Sequence, residues 1–125
     1  MNVLVVESEA PLLSNIAGLV QGWGYHATAV GSGLEALSVV QRKPFDLVLL
    51  DVSLPDMDCR EVILKLKETR PEIGIVTMAF ESSDRLEKEI RALGIVYYMC
   101  KPISQESLKD ILDHIFFKKH KNKSR

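Results

Sequence analysis

Leu47-Val48-Leu49-Leu50 is a run of four apolar residues that stops on a carboxylate, Asp51. The run is too short for a helix and shows no polar alternation, so it suits a strand buried on both faces of a parallel sheet. Leu54-Pro55 then breaks the chain and turns it. Val3-Leu4-Val5-Val6 repeats the pattern and ends on Glu7. Strands buried on both faces need helices over both, which leaves few architectures.

The segments between the strands supply those helices. Ser8 can cap a helix with Pro11 in its first turn, and Leu13, Ile16, Ala17 and Val20 fall at helical spacing. Gly22 and Gly24 end it. His26–Val30 is a short β-leaning segment. Ser32 with Glu35 forms a capping box for a helix running to about residue 42, closed by Pro44. Asp58 or a neighbour opens a helix with Val62, Ile63 and Leu66 inward, ended by Pro71. Ile73–Met78 is a fourth strand. Ser82 or Ser83 caps a helix carrying Leu86, Ile90 and Leu93, and Gly94 stops it. Ile95–Met99 is a fifth strand, and Ser104 caps a last helix striped by Leu108, Ile111, Leu112, Ile115 and Phe116. The order is β-α five times over, with short connections and right-handed crossovers, hence an α/β, doubly wound chain.

Composition narrows the function. The 125 residues are 46% hydrophobic and 26% charged, which suits one ordinary domain with a real core. No apolar run approaches a membrane span, and the N-terminus has no basic leader. Cys59 and Cys100 lack a CxxC or histidine-rich partner and read as free thiols, so a cytoplasmic location is expected. Residues 118–125 hold five of the sixteen Lys and Arg and no acid. The body therefore has eleven bases against seventeen acids, a net of −6, which argues against nucleic-acid binding. The basic run reads as a solvated tail or the start of a linker after a domain at 1–117.

Three strands end in polar chemistry, at Glu7, Asp51 and Lys101. Strand ends of a doubly wound sheet converge, and ligands bind there. Carboxylates at such a rim invite Mg²⁺, which keeps several waters and needs only one or two of them. A lysine can hold an anion as a point charge. Carboxylate, Mg²⁺ and lysine together suit phosphoryl transfer to an aspartate oxygen. The alternative is an ordinary ion pair between Lys101 and Asp51, and both can hold in the resting state.

These residues resemble the receiver domains of bacterial two-component response regulators, the single-domain chemotaxis type included. The resemblance covers about residues 2 to 117. It is carried by LVLLDVSLPDMD, with Asp51 at the phosphoacceptor position, and by YYMCKP, with Lys101 at the phosphate-sensing position. It implies a flavodoxin-like five-stranded parallel sheet of order 2-1-3-4-5. It also implies phosphorelay signalling, in which a sensor histidine kinase or phosphotransfer protein passes phosphate to Asp51. The response appears at the fourth helix, fifth strand and fifth helix, where a downstream protein, an output domain or a second copy would dock. Such a domain is not an enzyme beyond slow self-dephosphorylation. Lys101–Pro102 is expected to be cis, as proline permits in a tight turn.

The chain departs from the family pattern in several places. Two adjacent aspartates usually follow the first strand to hold Mg²⁺; here they are Glu7 and Ser8. Metal contacts would then come from Glu7, Ser8, Asp51 and the main-chain carbonyl of Ser53, and weak binding is expected. The switch hydroxyl, twenty-two residues before the lysine, is replaced by Ala79, with Thr77 one pleat back on the same face. Phe80 is bulky where the family is small and narrows access to Asp51. Cys59 stands where glycine is common, a strain of order 1 kcal/mol if that turn needs positive φ. Tyr98 occupies the aromatic switch position, as a ring that turns inward or as an exposed edge residue on the fourth helix.

Three readings compete. One is an Mg²⁺-dependent phosphoacceptor. A second is a pseudo-receiver, a docking module that works without phosphorylation, which Glu7-Ser8 and Ala79 favour. A third is an enzyme or cofactor carrier on a similar fold. A DxD phosphatase would want an acid at Ser53, and Glu7-Ser8-Glu9 would repel a flavin phosphate.

Overall fold

The structure, a computed structural model, describes residues 1–80 and 83–123, with side chains described through residue 117. Five strands form one parallel sheet: β1 (Asn2–Val6), β2 (His26–Val30), β3 (Leu47–Asp51), β4 (Gly74–Ala79) and β5 (Tyr97–Cys100). Their order is β2-β1-β3-β4-β5, as the resemblance implies. Five helices alternate with them: α1 (Ala10–Gly22), α2 (Gly33–Arg42), α3 (Cys59–Thr69), α4 (Asp84–Arg91) and α5 (Gln105–Lys123).

The two faces follow the period-two alternation of the strands. Leu4, Val6, Val48, Leu50 and Ile75 pack under α2, α3 and α4 through Ala36, Val40, Val62, Ile63, Leu66 and Ile90. Val3, Val5, Leu47, Leu49 and Val76 pack under α1 and α5 through Ile16, Val20, Leu108, Leu112 and Phe116. All five residues of β3, the central strand, are buried. Tyr25 helps seat α5, stacking on Phe116 at 4.8 Å between ring centroids and donating a 2.7 Å hydrogen bond to Asp113.

Local expectations need adjustment in a few places. The residue capping α1 is Glu9, not Ser8, and its side chain makes no capping bond. Proline near the start of α1 removes one donor that a cap would otherwise serve. Ser32 accepts from Glu35 N at 3.1 Å, but Glu35 reaches back to Gly31 N rather than to the cap's own amide. β4 starts one residue later and β5 two residues later than periodicity suggests. Cys59 is the first residue of α3, and among the described residues no non-glycine has positive φ, so it carries no strain there. Of the two serines expected to open α4, Ser83 is the cap, accepting from Leu86 N at 3.1 Å, and Ser82 lies outside the described residues. Helix α5 runs on to Lys123, while the side chains of the basic run 118–125 lie outside the described residues.

Thr77 in β4 is 0% exposed, and its hydroxyl has no hydrogen-bond partner among the described residues. A buried hydroxyl left unpaired costs about 1–3 kcal/mol. Thr77→Val, nearly isosteric, is expected to raise stability by about 1 kcal/mol or more in urea unfolding. A loss of stability would show that the hydroxyl is bonded in solution.

Candidate phosphoacceptor site

Register brings the strand ends level. Val6 pairs with Leu50, so Glu7 lies beside Asp51. Asp51 pairs with Met78, and Ala79 pairs with Cys100. Lys101 therefore starts two strands from Asp51, about 10 Å of inter-strand spacing, and only a long side chain bridges that gap. The Lys101 amide donates to the Ala79 carbonyl at 2.7 Å, which fixes the base of that side chain, and the Lys101–Pro102 peptide is cis.

The ammonium lands between two carboxylates. Lys101 Nζ is 2.5 Å from Glu7 Oε1 and 3.2 Å from Asp51 Oδ1. All three residues are buried, Glu7 at 1%, Asp51 at 3% and Lys101 at 9% exposure. Asp51 Oδ1 also accepts from the Ser53 amide at 3.0 Å, and Glu7 Oε2 from the Glu9 amide at 3.3 Å. Burial pushes the Glu7 carboxyl above the usual carboxylate range, and the facing Asp51 carboxyl pushes the same way against the pull of Lys101. Burial works against the Lys101 charge too, but the contacts with Glu7 and Asp51 outweigh it and hold its pKa above the ordinary lysine value. The ammonium also lies over the Phe80 ring, 5.1 Å from its centroid, and that ring is 63% exposed.

The other residues singled out in the sequence sit around this triad. Ser8 and Ser53 are exposed at the rim. Ala79 is 2% exposed. Of the two positions open to Tyr98, the structure has the ring inward: the residue is 5% exposed and packed in the core under α2, α3 and α4. Its hydroxyl, like that of Thr77, has no partner among the described residues. Arg91 of α4 covers the ring at 5.7 Å. Neither cysteine is disulfide-bonded; burial, then the Asp58 carboxylate, pushes the Cys59 thiol up to about 11, so it is no nucleophile at neutral pH.

Among the described residues no group of three or more His, Cys, Asp or Glu is placed to hold a metal ion. Two buried carboxylates still meet the minimum that Mg²⁺ requires, so the donor set fits a weakly held ion. A cavity of about 450 Å³ lies elsewhere, at the opposite end of the sheet, lined by Phe45, Asp46, Arg70 and Ile73. It has no part in this chemistry. No described helix is long and apolar enough to cross a membrane.

Residues 3–113 match the family described as the response regulator receiver domain. The chain belongs to the response regulator receiver family. It is 33% identical over 113 residues to the transcriptional regulatory protein ZraR of Salmonella typhimurium, covering 90% of this chain and 26% of that one. It is 32% identical over 115 residues to the signal transduction histidine-protein kinase BarA of Shigella flexneri, covering 90% and 12%. The chain thus spans about a quarter or less of these relatives. A CheY-like receiver from Methanospirillum hungatei superposes with a TM-score of 0.91 at 21% identity, covering 97% of both chains, and shares the fold. A receiver domain serves phosphorelay signalling as a phosphoacceptor and not as a classical catalytic enzyme.

Two features of this receiver were not legible in the sequence. One is that Glu7 lies nearer to Lys101 than Asp51 does. The other is that Asp56, in the loop after β3, donates no charge to the triad and is bonded to α2 instead. Both partnerships join residues far apart in the chain, and no local spacing signals them.

The raised Glu7 pKa has a pH consequence. The folded state holds this proton more tightly than the unfolded chain, whose carboxyl titrates near 4.5. The contribution is present in full below 4.5 and lost as pH rises through the folded value. The stability of the wild type relative to Glu7→Gln is therefore expected to fall as pH rises from 4.5, measured by urea unfolding across a pH series. Curves that run parallel would show that Glu7 titrates normally.

Proposed function

We propose that Asp51 is the phosphoacceptor and Lys101 the residue that neutralises the incoming phosphoryl group. The observation that carries this reading is the buried contact between Lys101 Nζ and Asp51 Oδ1 at the sheet rim. Oδ1 is engaged by Lys101 and the Ser53 amide, so Oδ2 is the oxygen presented for attack. In transfer from a kinase or phosphotransfer-protein histidine, the Asp51 O–P bond forms as the N–P bond breaks, and the electron pair leaves on the imidazole nitrogen. Lys101 then exchanges a carboxylate for a phosphoryl oxygen without leaving its pocket. Glu7, Asp51, the Ser53 carbonyl and Ser8 would hold Mg²⁺, which supplies further neutralisation of phosphoryl charge when bound.

The receiver unit is residues 1–117, with the basic run 118–125 as tail or linker. Its partners are a sensor histidine kinase or phosphotransfer protein on the input side. A downstream protein, an output domain or a second copy meets the α4–β5–α5 face. A pseudo-receiver is the second reading, favoured by the shorter contact of Lys101 with Glu7 and by Tyr98 being already inward while position 79 carries no hydroxyl.

Mass spectrometry after incubation with acetyl phosphate and Mg²⁺ separates the two. One added phosphoryl group on the wild type, absent from Asp51→Asn, is expected, with a Mg²⁺ requirement that saturates only at high concentration. An unmodified wild type would hand the case to the pseudo-receiver.

Readout is expected to be small. Without a hydroxyl at Ala79 the switch lacks about one charge-assisted hydrogen bond, roughly 1.5–3 kcal/mol. That is about a ten- to hundredfold smaller population shift. NMR shifts across α4, β5 and α5 on adding beryllofluoride are expected to be weak in the wild type and larger in Ala79→Thr. Large, equal shifts in both would show that another group carries the signal.

A further inference from the structure

The loop joining β3 to α3 is mostly exposed, yet it is tied sideways to a helix. Asp56 is an exposed residue at its centre, and both of its carboxylate oxygens are used. Oδ1 accepts from Gly33 N and Oδ2 from Leu34 N, each at 3.0 Å. These are the first two amides of α2, twenty-two and twenty-three residues away. Helix α2 already has its own cap in Ser32. The Asp56 bonds therefore add a tether between elements, favoured by the positive end of the helix. The amides of Gly33 and Leu34 hold the Asp56 carboxyl below the usual range, so it is charged at neutral pH.

Packing reinforces the tether. A Cβ at Gly33 would stand 3.0 Å from Met57 Sδ and 3.1 Å from Val62 Cγ2. The start of α2 thus presses directly on the loop and on α3. Three residues before Asp56, the Ser53 amide donates to Asp51 Oδ1 at 3.0 Å. The loop is anchored at one end by Val52 N on the Met78 carbonyl, 2.9 Å, and at the other by Asp58, which caps α3 through Arg60 N at 2.9 Å. Asp56 supplies the lateral restraint between those anchors.

We propose that Asp56 is a positioning residue for phosphoryl transfer to Asp51, acting through the β3–α3 loop to hold the Ser53 amide on Oδ1. This rests on the reading of Asp51 as phosphoacceptor. With Oδ1 pinned, the carboxylate presents Oδ2 in a fixed direction. Attack on acetyl phosphate then forms the Asp51 O–P bond while the bridging P–O bond breaks, and acetate leaves with the electron pair. Freeing the loop lets the carboxylate rotate and spends part of the advantage of a fixed orientation.

The test compares the wild type, Asp56→Ala, Asp56→Asn and Ser32→Ala in phosphorylation by acetyl phosphate with Mg²⁺, following the maximal rate and the half-saturating acetyl phosphate concentration. Asp56→Ala is expected to lower the maximal rate by about tenfold with half-saturation unchanged. Asp56→Asn, which keeps one acceptor oxygen, falls between it and the wild type. Ser32→Ala removes a cap of α2 without touching the loop and keeps the wild-type rate. Amide exchange of Ser53, read by NMR without any phosphodonor, is expected to be faster in Asp56→Ala than in Ser32→Ala. A wild-type rate or unchanged Ser53 protection in Asp56→Ala overturns the proposal. An equal loss of rate in Ser32→Ala also overturns it and assigns the effect to α2 stability. A wild type that gains no phosphoryl group overturns the phosphoacceptor reading and this proposal with it.

Discussion

One ammonium holds the site together. Lys101 Nζ lies between Glu7 and Asp51, and without it two carboxylates would face each other at a buried sheet rim. Removing charges from water is costly, and close opposite charge with hydrogen bonds is what offsets it. Two acids and one base leave a net negative charge in the pocket. Burial is the main cause of the raised Glu7 pKa, and the facing Asp51 carboxyl adds to it. The lysine thus neutralises part of the charge of Glu7 and Asp51 within the pocket.

The surroundings of the triad are divided between rigid and adjustable parts. The strand ends are fixed by backbone register, and the base of Lys101 is fixed by its amide on Ala79. The Tyr98 ring is inward, but its hydroxyl and that of Thr77 are buried without partners among the described residues. An unpaired buried hydroxyl makes a position less favourable than its apolar packing suggests. The ring is thus held by shape and by Arg91 over its face, not by a hydrogen bond. Tyr98 pairs with Thr77 across β4 and β5, and its ring lies in the core on the α2, α3 and α4 side of the sheet.

The β3–α3 loop has its own restraints, and they run in two directions. Asp56 reaches α2, while Asp58 and Glu89 share Arg60, whose Nη1 is 2.5 Å from Glu89 on α4. The second link is solvent-exposed, and pairs of that kind contribute about 0–1 kcal/mol. Its value is geometric: the loop beside Asp51 and helix α4 share the Arg60 side chain.

The apolar runs, caps and breakers determined the β-α order, the parallel sheet and the three polar strand ends, because these depend on residues adjacent in sequence. Leu47–Leu50 ending on Asp51, and Lys101 before Pro102, were legible for that reason. Boundaries were less so: β5 begins at Tyr97, the first residue in register with β4, opposite Val76, a long-range pairing that hydrophobicity at Ile95 does not report. The tertiary structure alone decided which carboxylate takes the ammonium, which way Tyr98 turns, and that Asp56 serves α2. Each of those outcomes depends on how strands and helices separated by twenty to ninety residues meet, and hydrogen-bond distances of 2.5 to 3.2 Å between such elements are set by packing, not by local spacing.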